Sequence, residues 1–166
     1  MTEEEILMMP ALVLLDDFGG DFTQYIEAVY AIFKRDFVDS KPSWDGKRFA
    51  LKKYPMGFGK EHTFYHITHE GHDEEERTPD LRRMERIAYP RFMIDKANHP
   101  TLKVWLKRIN NSDRIHIMNQ EERFLVVLEV RKDIFLLWTA FYIEYDHTLQ
   151  KKLKEYEEYI KSKDRT

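Results

Sequence analysis

Four apolar runs in the C-terminal half constrain this chain most. They are Val104–Ile109, Arg114–Met118, Phe124–Arg131 and Ile134–Ile143, joined by two to five mostly polar residues. Strand-forming runs with such short links predict an antiparallel meander. The run Ile134 to Tyr142 is apolar at nearly every position, so it is expected at the centre of the sheet with a helix covering one face. Upstream, Phe22, Tyr25, Ile26, Val29, Tyr30, Phe33 and Phe37 recur at intervals that predict an aromatic helix packed on that sheet, with Asp21 as its cap. Lys41 to Gly46 is turn-forming, and Arg48 to Tyr54 alternates as a short strand would. His62 to Glu70 fits either a strand or a short helix stopped by Gly71. Thr78-Pro79-Asp80 opens a helix towards Ile87, with Thr78 as cap, Pro79 first in the helix and Pro90 as its stop. The stretch His147 to Lys161 is a charged helix with Leu149, Leu153, Tyr156 and Ile160 on one face. The expected fold is therefore α+β: N-terminal helices packed on a four-stranded antiparallel sheet, with a C-terminal helix. An acidic segment, residues 1–20, precedes a single domain over residues 21–166.

Charge narrows the partners. The net charge of -3 conceals an asymmetry: residues 1–46 carry ten acids and three bases, whereas residues 47–166 carry twenty acids and twenty-four bases. A basic body is a hint of a polyanion, and it also fits a solvated surface of uneven charge. Three roles are open for residues 1–20: covering the basic surface, receiving an inhibitor or partner protein, or extending the core. With no cysteine, disulfides, thiol nucleophiles and cysteine–metal centres are excluded. No apolar run approaches the roughly 18 residues of a membrane span. The run Ile6 to Leu15 follows three glutamates and contains Pro10, so it makes a poor signal peptide. A cytoplasmic protein without a membrane partner is expected.

Three groups of residues could carry chemistry. The first is His62, His66, His69 and His72, with Glu70 and Asp73. On a helix the first three share a face at metal-ligand spacing, although the HExxH pattern is missing. Alternatively one of them, His66 before His69, works as a general acid or base. The second is Arg82, Arg83 and Arg86, three guanidinium groups within one and a half helical turns. They suit a phosphate clamp, and they equally suit surface pairs with Asp80 and Glu85. The third is Thr139 and Tyr142 at the end of the last strand, with Arg131 on its neighbour and Trp105, Lys107 and Arg108 on the same surface. A threonine can donate to phosphate and a tyrosine can stack on a base; both residue types also serve as ordinary strand and core residues. Gly57-Phe58-Gly59 is too short a signal for a phosphate loop, and no GxSxG elbow is present.

Several of these segments together resemble phage-associated proteins of the barnase–EndoU–colicin–RelE (BECR) nuclease superfamily. They are Tyr65-His66-Ile67-Thr68-His69-Glu70-Gly71, the block Arg77-Thr78-Pro79-Asp80-Leu81-Arg82-Arg83-Met84-Glu85-Arg86-Ile87, Phe124 to Arg131, and Phe135 to Tyr142 before a Lys/Glu-rich helix. The resemblance covers roughly residues 45–160. It implies a small α+β fold and RNA cleavage without a metal or other cofactor, or a relative that has lost it. His66 would then be the general base or acid at the ribose 2′-hydroxyl or the leaving 5′-oxygen. Arg83 and Arg86, with Arg131, would stabilise the phosphate, Thr139 would donate to it, and Tyr142 would position a base or ribose. Arg82 and His69 would add substrate contacts. Two rivals stand beside this endoribonuclease: a non-catalytic binding module of a mobile element on the same fold, and a metal enzyme using His62, His66 and His69.

Overall fold

The computed structural model describes residues 6–71 and 77–164. It is α+β. Helix α1 (Phe22–Lys34) starts where Asp21 accepts a hydrogen bond from the Gln24 amide, and it runs on into a π-helical turn, Arg35–Asp39. A hairpin follows, made of β1 (Ser43–Trp44) and β2 (Lys47–Phe49). Next come α2 (His62–Thr68) and the short pair β3 (His69–Glu70) and β4 (Thr78–Pro79). Helices α3 (Leu81–Glu85) and α4 (Tyr89–Asp95) lead to the meander. Its strands are β5 (Leu102–Ile109), β6 (Ser112–Asn119), β7 (Phe124–Val130) and β8 (Ile134–Tyr142), and α5 (Asp146–Asp164) closes the described chain.

The four expected strands form as an antiparallel meander, but the sheet is larger than expected and mixed. Its order is β1-β2-β8-β7-β6-β5, and β2 runs parallel to β8. Strand β7 buries both faces: Phe124, Val126 and Leu128 enter one core, Leu125 and Val127 the other. Strand β8 is central only at its start, because β2 pairs with Ile134 and Phe135 alone. Beyond that, α2 and α3 pack along β8, so helices rather than a strand cover this edge. Helices also cover both sheet faces, α1 on one and α5 on the other.

A β-bulge explains why β8 reads apolar throughout. Leu137 pairs with Leu128 and Thr139 with Val127, leaving Trp138 as the extra residue. One inserted residue reverses the alternation. Phe135 and Leu137 therefore face the larger core before the bulge, and Ala140 and Tyr142 face it afterwards.

The two cores differ in chemistry. The larger contains a file of five phenylalanine rings, Phe64, Phe33, Phe37, Phe49 and Phe135, with every successive centroid separation 5.4 Å. It runs from α2 through α1 to β2 and β8. The smaller core lies beneath α5. Trp105, Met118, Leu125 and Val127 meet Leu149, Leu153 and Tyr156 there, and His116 stacks on Trp105 at 5.0 Å.

Local chemistry corrects two expected helix boundaries. Thr78 and Pro79 pair with Glu70 and His69 as strand instead of opening a helix, and Asp80 is the cap, accepting from the Arg83 amide. Pro90 does not end a helix; it lies in the first turn of α4, where a missing N–H costs nothing. Residues 7–18 extend the larger core through Leu7, Met9, Val13, Leu15 and Phe18, tied by Val13 N–H to the Glu85 carbonyl at 2.9 Å. His72, Asp73 and the three N-terminal glutamates lie outside the described residues.

Two expectations follow. Phe33→Ala interrupts the ring file and should cost about 3–5 kcal/mol in chemical denaturation. His116 is 2% exposed, and burial, with the Lys152 charge nearby, lowers its pKa to about 4. The unfolded chain then binds a proton at this position that the folded chain does not, so this contribution is whole above pH 6.5 and falls away as pH drops towards 4. His116→Gln should flatten the pH dependence of unfolding over that interval by about 1.4 kcal/mol per pH unit.

Candidate anion-binding site

The site forms where α2 meets β8 beside the bulge. Phe64 and Ile67 anchor α2 in the larger core, while His62 and His66, one turn apart, turn outward with their rings stacked at 6.1 Å. The start of α2 is tied to the chain after β2: the His62 amide donates to the Lys53 carbonyl at 2.8 Å, and both the amide and hydroxyl of Thr63 donate to Lys52. Its end is held from α3. Arg83 donates to the carbonyls of His66 and His69 at 3.4 and 3.2 Å, and the Asp80 amide donates to Thr68 at 2.9 Å. A cation at the C-terminal carbonyls suits a helix end electrostatically.

These constraints shape a cavity of about 470 Å³. Lys52, His62, His66, Arg77, Glu129 and Arg131 supply its polar wall, and Leu136, Leu137 and Trp138 its apolar wall. Trp138 reaches the cavity because it is the bulged residue. It remains 42% exposed, with Arg114 stacked 3.8 Å from the ring centroid and His66 at its edge. Glu129 is the one carboxylate lining the cavity among the described residues. Burial raises its pKa, but hydrogen bonds from Ser112 and Arg131 and the Arg114 charge outweigh this, and the net shift is downward. It therefore stays ionised, held by Arg114 and by one nitrogen of Arg131, and Lys52, Arg77 and the remaining donors of the Arg131 fork set the field of the cavity.

That field acts on His66. Burial, followed by the charges of Arg77, His62, Arg83 and Lys52, lowers its pKa to about 4. The ring is therefore neutral at pH 7, able to donate from one nitrogen and accept at the other. An incoming anion would compensate the surrounding cations and make protonation easier.

The residues singled out in the sequence do not converge on one point. His66 and Arg131 line the cavity. Arg83 stands behind α2; its Nε is 3.2 Å from Asp80 Oδ2, an ionic contact without hydrogen-bond alignment. Arg82 and Arg86 lie over the Tyr142 ring at 5.5 and 4.7 Å. Arg86 is only 9% exposed and donates to the Arg82 carbonyl. Arg86 and Tyr142 thus pack α3 against the end of β8. Thr139 stands opposite Val127 on the α5 side of the sheet. Lys107 pairs with Glu155 of α5, Trp105 is buried beneath that helix, and Arg108 pairs with Asp113. His69 leaves the helix face shared by His62 and His66, since it begins β3, and it lines a second cavity. Among the described residues no three His, Asp or Glu side chains gather as metal ligands would, and no helix is long and apolar enough to cross a membrane.

Lys52, Arg77 and Trp138 are lining residues that sequence spacing did not single out. They belong to three separate segments, and only the apposition of α2 with β8 joins them. No family model, curated protein or solved structure matches the chain.

Arg83→Ala should lower the unfolding free energy by about 1–3 kcal/mol, because it leaves the part-buried carbonyls of His66 and His69 without this donor. Arg82→Ala, which removes an exposed guanidinium, should change it by less than about 0.5 kcal/mol. Urea titration of the two variants checks the contrast.

Proposed function

We propose that the protein is an RNA-binding module that takes a backbone phosphate into the cavity between α2 and β8. One observation carries the reading. Lys52, Arg77 and Arg131, from three separate segments, surround a neutral imidazole and a half-exposed tryptophan, and Glu129, the one lining carboxylate among the described residues, is held by Arg131 and Arg114. Cations give affinity for phosphate, and an aromatic surface beside them suits unstacked bases. This favours the non-catalytic module over the enzyme the BECR resemblance implies, because Arg83, Arg86, Thr139 and Tyr142 have other neighbours.

Cleavage remains a second reading, supported by the stacked pair His62 and His66 at 6.1 Å. In it, neutral His66 takes the proton of a ribose 2′-hydroxyl, the 2′-oxygen bonds to phosphorus, and the bond from phosphorus to the 5′-oxygen breaks as that oxygen takes a proton from solvent water. Lys52, Arg77 and Arg131 balance the charge gathering on the phosphate.

Binding to short single-stranded RNA, measured across salt concentrations, tests the proposal. Lys52→Ala or Arg131→Ala should each weaken binding at every sequence and reduce the salt slope by about 0.7, the value for one phosphate contact on a single strand. Arg82→Ala should leave both quantities unchanged. Absence of RNA binding at low salt overturns the proposal. For the second reading, the same RNA incubated in EDTA should yield 2′,3′-cyclic phosphate ends with wild type and none with His66→Ala. Intact RNA with the wild type leaves the binding module alone standing.

A further inference from the structure

A second cavity, of about 340 Å³, lies on the other side of His62 and Arg77, and these two residues line both cavities. The remaining walls are of a different kind: Pro55, Met56, Gly57, Phe58 and Tyr65, with His69. One cavity is cationic and the next apolar and aromatic, with a shared partition. We infer that the second cavity is the base compartment of the same site, holding the nucleobase of the nucleotide whose phosphate lies beside Arg131. This rests on the RNA reading above and deepens it.

The loop carrying Met56 and Phe58 is the main support. It is a tied loop. The amides and carbonyls of Gly57 and Lys60 bond reciprocally at 3.0 and 2.9 Å, and Tyr65 Oη donates to the Gly57 carbonyl at 2.8 Å. Lys60 is fastened in turn to Glu27. Within this fixed frame Phe58 adopts a φ of 50° and is 97% exposed, and Met56 is also exposed. A bulky side chain in the left-handed region is costly, and a fully hydrated phenyl ring contributes nothing to the core. Such a ring on a fixed loop beside an open cavity is suited to a planar partner.

The chemistry of the walls selects that partner. Tyr65 and Phe58 offer π-faces, and Met56 offers a polarisable thioether. His69 stands edge-on to Tyr65 at 5.2 Å, its Nδ1 2.8 Å from the Thr68 hydroxyl. Burial, then the charges of Arg77 and Arg83, lowers its pKa, so it presents a neutral polar edge rather than a cation. A purely aliphatic ligand would leave His69 and Arg77 unused. A nucleobase joined through its sugar to a phosphate answers both compartments at once.

Calorimetry with inorganic phosphate, ribose 5-phosphate and the four ribonucleoside 5′-monophosphates tests this. At least one monophosphate should bind about tenfold or more tightly than ribose 5-phosphate, the size of one base–aromatic stack. Phe58→Ala, whose side chain supports no packing, should abolish that gain while leaving ribose 5-phosphate affinity unchanged; Met56→Ala should reduce the gain. Arg131→Ala should weaken both classes of ligand. Ribose 5-phosphate binding without any gain from a base, or a gain indifferent to both loop variants, overturns the base compartment and leaves the RNA reading intact. If neither ribose 5-phosphate nor single-stranded RNA binds at low salt, the RNA reading falls and the base compartment with it.

Discussion

The ring file from Phe64 to Phe135 is the contact on which the rest of the molecule depends. It binds α2, α1, β2 and β8 into one core by aromatic packing at a constant 5.4 Å. Aromatic pairs at this separation contribute about 0.5–1.5 kcal/mol each beyond the area they bury. Because Phe64 belongs to the file, the outer face of α2 is held at a defined distance from β8. The histidines on that face meet the bulged tryptophan for this reason, and the cavity between them follows.

Two kinds of arginine emerge from that packing. Arg83 and Arg86 face inward, where their donors meet helix carbonyls and an aromatic ring, and they stabilise the junction of α2, α3 and β8. Arg77 and Arg131 face a cavity and line it with charge. A guanidinium suits either role, since its fork of donors fits carbonyls as readily as phosphate oxygens. Spacing along a helix brings arginines together without distinguishing the two. What distinguishes them is which acceptors stand nearby: for Arg83 the carbonyls of His66 and His69 at the end of α2, for Arg86 the Arg82 carbonyl and the Tyr142 ring.

Much of the fold was legible from local pattern. The four meander strands, the α1 period with its Asp21 cap, and the C-terminal helix all follow from short-range alternation and capping chemistry. The β2–β8 pairing was not legible: alternation suggested a strand over Arg48 to Tyr54, whereas only Lys47–Phe49 forms one, and nothing local to it names β8 as its partner. The run over β8 suggested a strand between two others, and β8 does lie between β2 and β7, but β2 reaches only its start; beyond that the bulge at Trp138 and the helices along its edge account for the apolar pattern. Of the site, His66 and Arg131 were visible as residues able to meet phosphate. Lys52, Arg77 and Trp138 were not, since nothing in their own segments marks them out.

By itself, then, the amino-acid order determined the secondary elements whose hydrogen bonds and caps close within a few residues, the split between an acidic start and a basic body, and the exclusion of thiol chemistry. Tertiary structure decided which cations face solvent in a common cavity, which histidines are held neutral, and where the sheet ends. Those properties depend on distance and desolvation between segments far apart in the chain. Both quantities are set only when the cores close.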